Sequence, residues 1–560
     1  MSAPSSEAPA ASPSRRRALA PRAAFFLALF ALLCALRLPL ADRPIRDVDE
    51  AVSALIATSW LEGGVPYRDA IDQRGPVTYL LYAATFLLAG KNNMLAVHWA
   101  LLLLILAGCW LLYRFGNELA RDLGLDEGMG GSAGTLAAFL LAISSFTYRR
   151  SQMLAFHTEW PILIFSTLGM LALWRGLSRG ARPRTFLWAG LAFGASFLSK
   201  QPAVFDGMAA GGFLLLWQWK EGLLWRRETL VRALALAGGF CLAVAGAVAY
   251  FAAHGALGDF YLYFWSYNVE HYTAVVPLAD RLAALNPWEF RRHYLRANPL
   301  LFAAAVVAGA RAAFGLAQWG RRAVNARLLV TLWLLAAFFG ASYGGRNFGH
   351  YFIQLLAPAC LTAALLLREL WLAAGRAGAW RGFAPALLRS LLVVTVAVGL
   401  ALPLWRYRRD LALLSFDQPA RPNVPREKLL AFLAETTRPE DKIFVWGYDP
   451  EVYVLSGRRP ATRYSNANYL TGLLPWENHR PGVDTSAHIV PGAWDILMRE
   501  LEATPPVLII DTSPGDHRTW AKYPVRKFPR LAAYLERHYE PVAALPDRKG
   551  RTYYVVYRRL

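Results

Sequence analysis

The sequence contains repeated apolar runs that are long enough to cross a lipid bilayer as helices. About twenty residues suffice for one crossing, and the hydrophobic content of 56% is high for a soluble protein. The sequence therefore predicts a mainly α, polytopic transmembrane protein. Its eleven predicted spans cover residues 23–41, 94–113, 131–147, 159–174, 185–199, 202–218, 231–253, 298–318, 327–343, 350–368 and 385–405.

The formal net charge of +21 comes largely from arginines between these runs. Cytoplasmic loops of membrane proteins carry such an excess of Lys and Arg, so the charge indicates an orientation and not a nucleic-acid partner. Residues 1–22 are predicted to be a disordered cytoplasmic tail. Residues 23–407 form the membrane domain, with external loops at 42–93, 148–158 and 254–297. Four later basic loops agree with this orientation, at residues 175–184, 220–227, 321–322 and 376–381.

Residues 408–560 contain no run long enough to span a membrane, and they alternate between helix and strand patterns. Such alternation predicts a small α/β domain, which the orientation places outside the cytoplasm. The location is therefore a cytoplasmic membrane, with the C-terminal domain on its outer face. Predicted helices are 426–436, 493–503 and 529–538, and predicted strands are 442–446, 507–511 and 552–557.

The first external loop contains two further helical patterns. Residues 77–90 are too short for a clear span, and we expect an interfacial or re-entrant helix there. Val52, Leu55, Ile56 and Trp60 recur at helical spacing just beyond the first span. We expect this apolar stripe to lie in the membrane surface.

Ionisable residues in the external loops are the candidates for chemistry. Asp47, Asp49 and Glu50 follow the first span, where they are placed to act on a lipid headgroup or belong to a solvated acidic loop. Glu159 begins a later span beside His157, which favours a functional site but also a simple helix N-terminus.

Cations and aromatic residues extend this candidate site. Arg74 and Lys200 lie on the predicted outer side, where a cation binds a lipid phosphate or reaches out to water. The segment FYLYFWSYNVEHY contains Asn268 and Tyr272 among aromatic rings. This pattern suits stacking on a sugar or an isoprenoid, and equally an aromatic belt at the membrane interface.

Several motifs together resemble the GT-C glycosyltransferases, especially bacterial family 39 proteins related to protein O-mannosyltransferases and the lipid A aminoarabinose transferase. The Asp49–Glu50 pair resembles the family's DE motif, and GGVPYRDAIDQRGPVTYLLY resembles its G-x-P-Y-x-D stretch. Arg74 and Gly75 replace the usual Lys-Pro. AFHTEWP, GLAFGASFLSKQPA and GGRNFGHYFIQLLAP follow in the family's order, with a weaker echo in FVWGYDPEVYVLSGRRPATRY.

The resemblance implies an inverting transfer of one sugar from a polyprenyl-phosphate donor to an acceptor hydroxyl. Asp49 would be the general base, Glu159 would orient the acceptor or the base, and Glu50 would be the third catalytic residue. Arg74 and Lys200 would hold the phosphate. The implied partners are the lipid-linked donor, a lipid, glycan or protein acceptor, and membrane lipids. The remaining implied substrate-binding residues are Tyr67, His157, Asn268, Tyr272, Arg346 and His350.

Two other functions stay open at this point: a lipid-linked saccharide transporter, and a non-catalytic subunit for cell-envelope assembly. The sequence shows neither the internal repeats expected of the former nor a reason for the latter to keep acids in two external loops. It has no P-loop, Rossmann fingerprint or zinc-ligand spacing, and its four cysteines lie in apolar runs. No metal ligand or definite cofactor is predicted, and dependence on a divalent cation is left open.

Overall fold

The structure is a computed structural model, and it describes the chain except for a few short segments. The predicted loop residues Arg149 and Arg150, and residues 1–12 of the predicted tail, lie outside the described residues. The described ranges are 13–37, 44–125, 132–146, 153–286, 298–346, 348–376, 384–412, 423–475 and 477–560.

The membrane domain is helical, and each of the eleven predicted spans coincides with a helix. In chain order the helices are α1 (Pro13–Arg37), α2 (Val48–Leu61), α3 (Pro76–Ala89), α4 (Met94–Asp122), α5 (Ala133–Ser144), α6 (Glu159–Ser178), α7 (Pro183–Phe197), α8 (Val204–Lys220), α9 (Arg227–Ala253), α10 (Leu257–Phe260), a π-helix (Tyr261–Thr273), α11 (Leu278–Ala284), α12 (Pro299–Trp319), α13 (Ala326–Ser342), α14 (Ile353–Arg376) and α15 (Ala384–Ala412). Short 3₁₀ turns lie at Gln201–Ala203, Gly320–Ala323 and Gly349–Phe352.

Five stretches of described helix are long and apolar enough to cross a membrane: α4, α6, α9, α12 with the turn after it, and α14 with the turn before it. Apolar side chains of α9, α12 and α15 are exposed, among them Leu234, Val306 and Leu391. A soluble protein rarely exposes such continuous apolar faces, whereas lipid covers them at no cost. The chain is therefore a membrane protein.

Helix α1 begins ten residues before the predicted span, within the predicted disordered tail. Its first turns contain the Arg and Ala residues of the sequence RRRALA, which have high helix propensity and extend the helix beyond its apolar part. The tail prediction was therefore too long at its C-terminal end.

The expected membrane-surface position of α2 is wrong. Val52 and Ile56 are buried among side chains of the first loop and the C-terminal domain, and Leu55 is buried among residues such as Tyr82 and Phe86. The helix is covered on both sides by protein, because the C-terminal domain packs over the loop. The apolar stripe thus contributes to the protein core rather than to a lipid contact.

The C-terminal domain contains one five-stranded sheet, and its predicted helices and strands are all present. Strands β1 (Lys442–Trp446) and β3 (Leu508–Asp511) pair in parallel, whereas β5 (Thr552–Arg559) runs antiparallel to both β3 and β4 (Tyr539–Pro546). With β2 (Arg459–Pro460) at one edge, the order is β2-β1-β3-β5-β4. The strand β4 was not predicted, because Glu540 and two prolines interrupt its apolar pattern. The elements are α16 (Val424–Thr436), β1 (Lys442–Trp446), α17 (Glu451–Ser456), β2 (Arg459–Pro460), α18 (Asn468–Thr471), α19 (Ala493–Ala503), β3 (Leu508–Asp511), α20 (Pro529–His538), β4 (Tyr539–Pro546) and β5 (Thr552–Arg559), with 3₁₀ turns at Ser486–His488, Ser513–Gly515, His517–Lys522 and Val525–Lys527.

The C-terminal domain is joined to the first loop by polar contacts as well as by the shared core. The backbone N–H of Ile71 donates to the carbonyl of Arg463 at 3.2 Å. The hydroxyl of Tyr469 donates to Oε1 of Gln73 at 3.1 Å. These contacts place the sheet domain directly over the loop that contains the predicted catalytic acids.

Candidate functional site

A cavity of about 1010 Å³ lies where the membrane domain meets the C-terminal domain. Both domains contribute to its wall. The contribution of the membrane domain includes the segment between the first span and helix α2. Among the predicted site residues, those that line the cavity are Asp49, Arg74, Lys200, Asn268, Tyr272 and His350. A concave space lined by convergent polar groups is the usual form of a small-molecule site.

Asp49 reaches the cavity because of how helix α2 begins. Asp47 is the N-cap, and its side chain accepts a hydrogen bond from the backbone N–H of Asp49 at 3.2 Å. One Asp49 carboxylate oxygen forms an ion pair with Arg74, and the other lies 3.4 Å from Nδ1 of His157. Three separated segments therefore meet at this carboxylate.

Asp49 is held as a carboxylate anion. Burial alone would raise its pKa, but the Arg74 guanidinium and His157 outweigh burial, and the pKa lies well below its usual range. Burial likewise opposes a charge on His157, yet its hydrogen bond to Asp49 and the nearby acids raise its pKa. Asp47 behaves differently, because burial and the charge of Asp49 raise its pKa to about 6.

Glu50 faces away from the cavity, since successive residues on a helix point about 100° apart. Its side chain is 0% exposed to solvent. Its oxygens accept hydrogen bonds from the backbone N–H of Phe156 at 2.7 Å and of Arg46 at 2.8 Å, and His98 lies 3.3 Å away. Burial raises the pKa of Glu50, but these partners lower it to about 2. Glu50 thus links the first and second external loops behind the cavity wall.

The two predicted phosphate-binding cations come from segments that touch through their backbones. The N–H of Gly75 donates to the carbonyl of Ser199 at 3.2 Å, and that of Val77 donates to the carbonyl of Leu198. A Cβ atom at Gly75 would lie 1.9 Å from the Leu198 oxygen, so only glycine fits there. These backbone contacts beside Arg74 and Lys200 bring the two cations to the same cavity.

Each of these cations forms an ion pair with at least one acidic residue. Arg74 donates to Asp72 at 2.6 Å in addition to its ion pair with Asp49. Lys200 donates to Glu159 at 2.6 Å, and its ammonium lies 3.8 Å from the ring centre of Tyr351. Glu159 is itself buried and does not line the cavity, so the structure places it as the counter-ion of Lys200.

His157 and His350 stack beside Asp49 with ring centres 4.1 Å apart. Ligand atoms of the two rings and of Asp49 all lie within 4.8 Å of one another, a spacing that suits a metal ion. The three residues are far apart in the sequence and do not follow a metal-ligand motif, so this grouping was not predicted. Arg74 competes with any such ion for the Asp49 carboxylate.

The other predicted substrate-binding residues mainly support the wall. Tyr67 has a left-handed backbone with φ 70°, and its buried hydroxyl donates to the carbonyl of Arg74 at 2.6 Å. Asn268 donates to the carbonyl of Gln73 at 2.8 Å. The Arg346 guanidinium lies over the Tyr272 ring at 3.7 Å and pairs with Glu477 at 2.8 Å. Tyr67, His157 and Arg346 do not line the cavity.

The C-terminal domain contributes cavity residues that sequence reasoning missed. They include Arg426, Tyr448, Asn468 and Arg518. Arg518 has φ 52°, a strained conformation for a non-glycine residue, and its side chain pairs with Glu451 at 2.5 Å. The weak family echo in FVWGYDPEVYVLSGRRPATRY was the one available signal, because it contains Tyr448.

Solved membrane transferases share this architecture. The apo structure of ArnT from Cupriavidus metallidurans aligns with a TM-score of 0.57 at 13% identity, covering 97% of this chain and 98% of that chain. Its structure bound to undecaprenyl phosphate gives 0.54, at 14% identity, over 96% and 98%. The Archaeoglobus fulgidus oligosaccharyltransferase AglB, in complex with an inhibitory peptide and a dolichol-phosphate, gives 0.54 at 13% identity over 92% and 72%. This chain has the GT-C fold.

The sequence comparisons give a family match over part of the chain. Residues 73–251 match the family of dolichyl-phosphate-mannose-protein mannosyltransferases. A search of curated protein sequences finds no significant match. The family match and the fold confirm the predicted resemblance to GT-C glycosyltransferases, and they do not favour a transporter or a non-catalytic subunit.

Proposed function

We propose that this chain transfers a sugar from a polyprenyl-phosphate donor to an acceptor hydroxyl at the cavity that contains Asp49. The observation that carries the proposal is the meeting of an ionised, partly buried carboxylate with Arg74 and Lys200 in one cavity. Support comes from the mannosyltransferase family match over residues 73–251 and from two similar structures, ArnT bound to undecaprenyl phosphate and AglB in complex with a dolichol-phosphate.

In this mechanism, Asp49 accepts the proton of the acceptor hydroxyl as its oxygen attacks the anomeric carbon. The bond between that carbon and the phosphate oxygen breaks, and the phosphate leaves with the electron pair. The leaving phosphate is an anion, so cations that stabilise its charge lower the barrier more than a general acid would. Arg74 and Lys200 supply that positive charge.

Donor binding would also raise the basicity of Asp49. Without donor, Arg74 is shared between Asp49 and Asp72, and its charge makes Asp49 a weak base. A phosphate that draws Arg74 toward itself weakens the ion pair with Asp49 and raises the pKa of that carboxyl. Asp49 would then be a strong enough base to accept the hydroxyl proton only when the donor is bound.

We place this reaction on the outer face of a cytoplasmic membrane, with the C-terminal domain also outside. The basis is the arginine distribution in the sequence. A reporter that is active only outside the cytoplasm, fused after Leu560, tests the orientation. Activity of that reporter is the expected result, and a reporter active only inside would reverse the face of the reaction.

The function is tested with purified protein and radiolabelled polyprenyl-phosphate sugars prepared from bacterial membranes. We expect label to move from the lipid to a hydroxyl-bearing acceptor fraction in wild type and not in Asp49→Asn. The assay is repeated with EDTA, which is expected to leave transfer intact because Arg74 already neutralises Asp49. Loss of transfer restored by a divalent cation would instead assign Asp49, His157 and His350 as its ligands. Lipid movement across vesicles without transfer would support a transporter.

A further inference from the structure

A buried side-chain amide of the C-terminal domain lies at the cavity. Asn468 begins α18 in the C-terminal domain, is 8% exposed, and lines the cavity. Its side-chain oxygen accepts no hydrogen bond from any described residue. A buried amide oxygen without a partner destabilises a folded chain, so such an atom at a cavity points to a ligand group that satisfies it.

Another buried asparagine of the same domain shows how a purely structural amide is bound. The side-chain oxygen of Asn478 accepts from the N–H of Leu474 at 2.8 Å, and its amide nitrogen donates to the carbonyl of Gly472 at 2.9 Å. The domain therefore satisfies both ends of this amide internally. Asn468 differs because its side chain is at the cavity wall.

Contacts of the neighbouring residue locate Asn468 on the Arg74 side of the cavity. Tyr469 donates to Gln73, the residue before Arg74, and its ring lies 5.0 Å from that of Tyr267. The carbonyl of Gln73 in turn accepts from Asn268. Asn468 therefore belongs to a wall formed by amides and tyrosines next to one of the two predicted phosphate-binding cations.

The chemistry of this wall suits a sugar better than a charged group. A sugar hydroxyl both donates and accepts, and an amide offers one donor and one acceptor for it. Tyrosine rings supply the flat apolar surface on which a sugar ring packs. Asp72, which also lines this wall, is already bonded to Arg74 at 2.6 Å and to Tyr79 at 2.8 Å.

We propose that Asn468 binds a hydroxyl of the donor's sugar, so that the C-terminal domain recognises the sugar while Arg74 and Lys200 hold the phosphate. This inference rests on the proposed function. It assigns to the C-terminal domain a direct part in donor specificity. It also supplies a partner for the amide oxygen that the described residues leave without one.

The test compares two kinds of lipid on the full-length protein in detergent. The probes are undecaprenyl phosphate and a panel of undecaprenyl-phosphate mannose, glucose and galactose. Wild type is expected to bind one of the sugar-bearing lipids more tightly than undecaprenyl phosphate. Asn468→Ala is expected to bind that lipid about tenfold more weakly and to bind undecaprenyl phosphate unchanged.

Thermal unfolding separates this role from a structural one. Asn468→Ala should unfold at the same or a higher temperature than wild type, because an unsatisfied buried group is removed. The control Asn478→Ala should unfold at a lower temperature, because Asn478 bonds within the domain.

Three results of the lipid-binding experiment would overturn the sugar-binding role. They are unchanged affinity of Asn468→Ala for the preferred lipid, equal weakening of its binding to all the lipids, and a wild type that does not distinguish the lipids of the panel. No binding of any lipid by wild type would overturn the proposed function itself.

Discussion

Two groups of buried charges contribute side chains to the cavity wall, and they differ in how far apart their members lie in the sequence. The loop cluster consists of Asp49, Arg74, His157, Glu159 and Lys200. The domain cluster consists of Arg426, Asp449, Glu451 and Arg518. Both combine acids with cations, so residue types alone do not tell them apart.

The domain cluster is bonded within one folded unit. Both oxygens of Asp449 accept hydrogen bonds, from Arg426 at 2.6 Å and from the hydroxyl of Tyr554 at 2.8 Å, and its side chain is 0% exposed. Burial raises its pKa, but Arg426 and the neighbouring cations lower it below the usual range. Arg426 is shared between Asp449 and Glu451, and its buried Nε has no hydrogen-bond partner among the described residues. All of these partners belong to the C-terminal domain, so the network makes that domain rigid.

The loop cluster is assembled from segments that are distant in the sequence. His157 has a buried Nε2 atom without a partner among the described residues, and its contact with Asp49 is long at 3.4 Å. Arg74 divides its charge between two acids. Because its members come from separate segments, we expect them to exchange partners when a phosphate enters. We therefore propose that the loop cluster serves catalysis and that the domain cluster, bonded within one domain, serves stability.

The largest expected effect is on turnover when the loop cluster loses its base. Asp49→Asn keeps the size of the side chain and removes its basicity, so kcat should fall roughly 10²–10⁴-fold. Sugar transfer by the purified variant measures this, with Glu50→Gln as the neighbouring control. Glu50→Gln should lower stability more than chemistry, because Glu50 bonds to backbone N–H groups behind the wall. Near-normal transfer by Asp49→Asn would remove it as the base.

The matching change in the domain cluster should act on stability. Asp449→Asn leaves Arg426 without its closest counter-ion, and breaking a buried pair from one side costs about 3–5 kcal/mol. We expect a lower unfolding temperature, with kcat of the folded protein close to wild type. If kcat fell as much as in Asp49→Asn while the unfolding temperature was unchanged, the two clusters would have to be assigned the same role.

The cations of the loop cluster should affect donor binding to a smaller extent. Each charge-assisted hydrogen bond contributes about 1.5–3 kcal/mol, so Arg74→Ala and Lys200→Ala should weaken polyprenyl-phosphate binding about ten- to a hundredfold. Isothermal titration with the lipid measures this effect. Arg530→Ala is the control, because Arg530 is an exposed arginine of the C-terminal domain paired with Asp495. Unchanged affinity in both loop variants would refute the phosphate role.

The smallest expected effect concerns the pH dependence of the loop cluster. Asp47 has a pKa raised to about 6, so it is protonated below that pH and ionised above it. Its ionised form adds negative charge beside Asp49 and strengthens the base. We therefore expect kcat/KM to rise a few-fold as pH increases through about 6, and Asp47→Asn to lack this step. His157 titrates at higher pH, because its pKa is raised. The same step in Asp47→Asn would assign it to another group.

Much of the fold could be predicted because it depends on local patterns. Apolar runs located the helices from 94–113 to 385–405, and strand or helix periodicity located six elements of the C-terminal domain. Helix α2 shows the limit: its apolar stripe was visible, but not whether lipid or protein would cover it. That depends on the docking of a domain almost four hundred residues later in the chain.

The site was predictable to a similar extent. The family motifs and the helical rotation between neighbours separated Asp49 from Glu50, although the roles of both remain predictions. No local pattern could place Asn468 or Arg518 at the same cavity, because tertiary packing brings them there. The pairing of Glu159 with Lys200 likewise joins residues that are distant in sequence.

A structure with polyprenyl phosphate bound tests the central claim most directly. The account predicts the phosphate in the cavity of about 1010 Å³, at hydrogen-bonding distance from Arg74 and Lys200, with the Arg74 guanidinium moved away from Asp49. The Asp49 carboxylate should then face the space where an acceptor hydroxyl approaches the anomeric carbon. A phosphate bound outside this cavity, with the Arg74–Asp49 ion pair intact, would contradict the account.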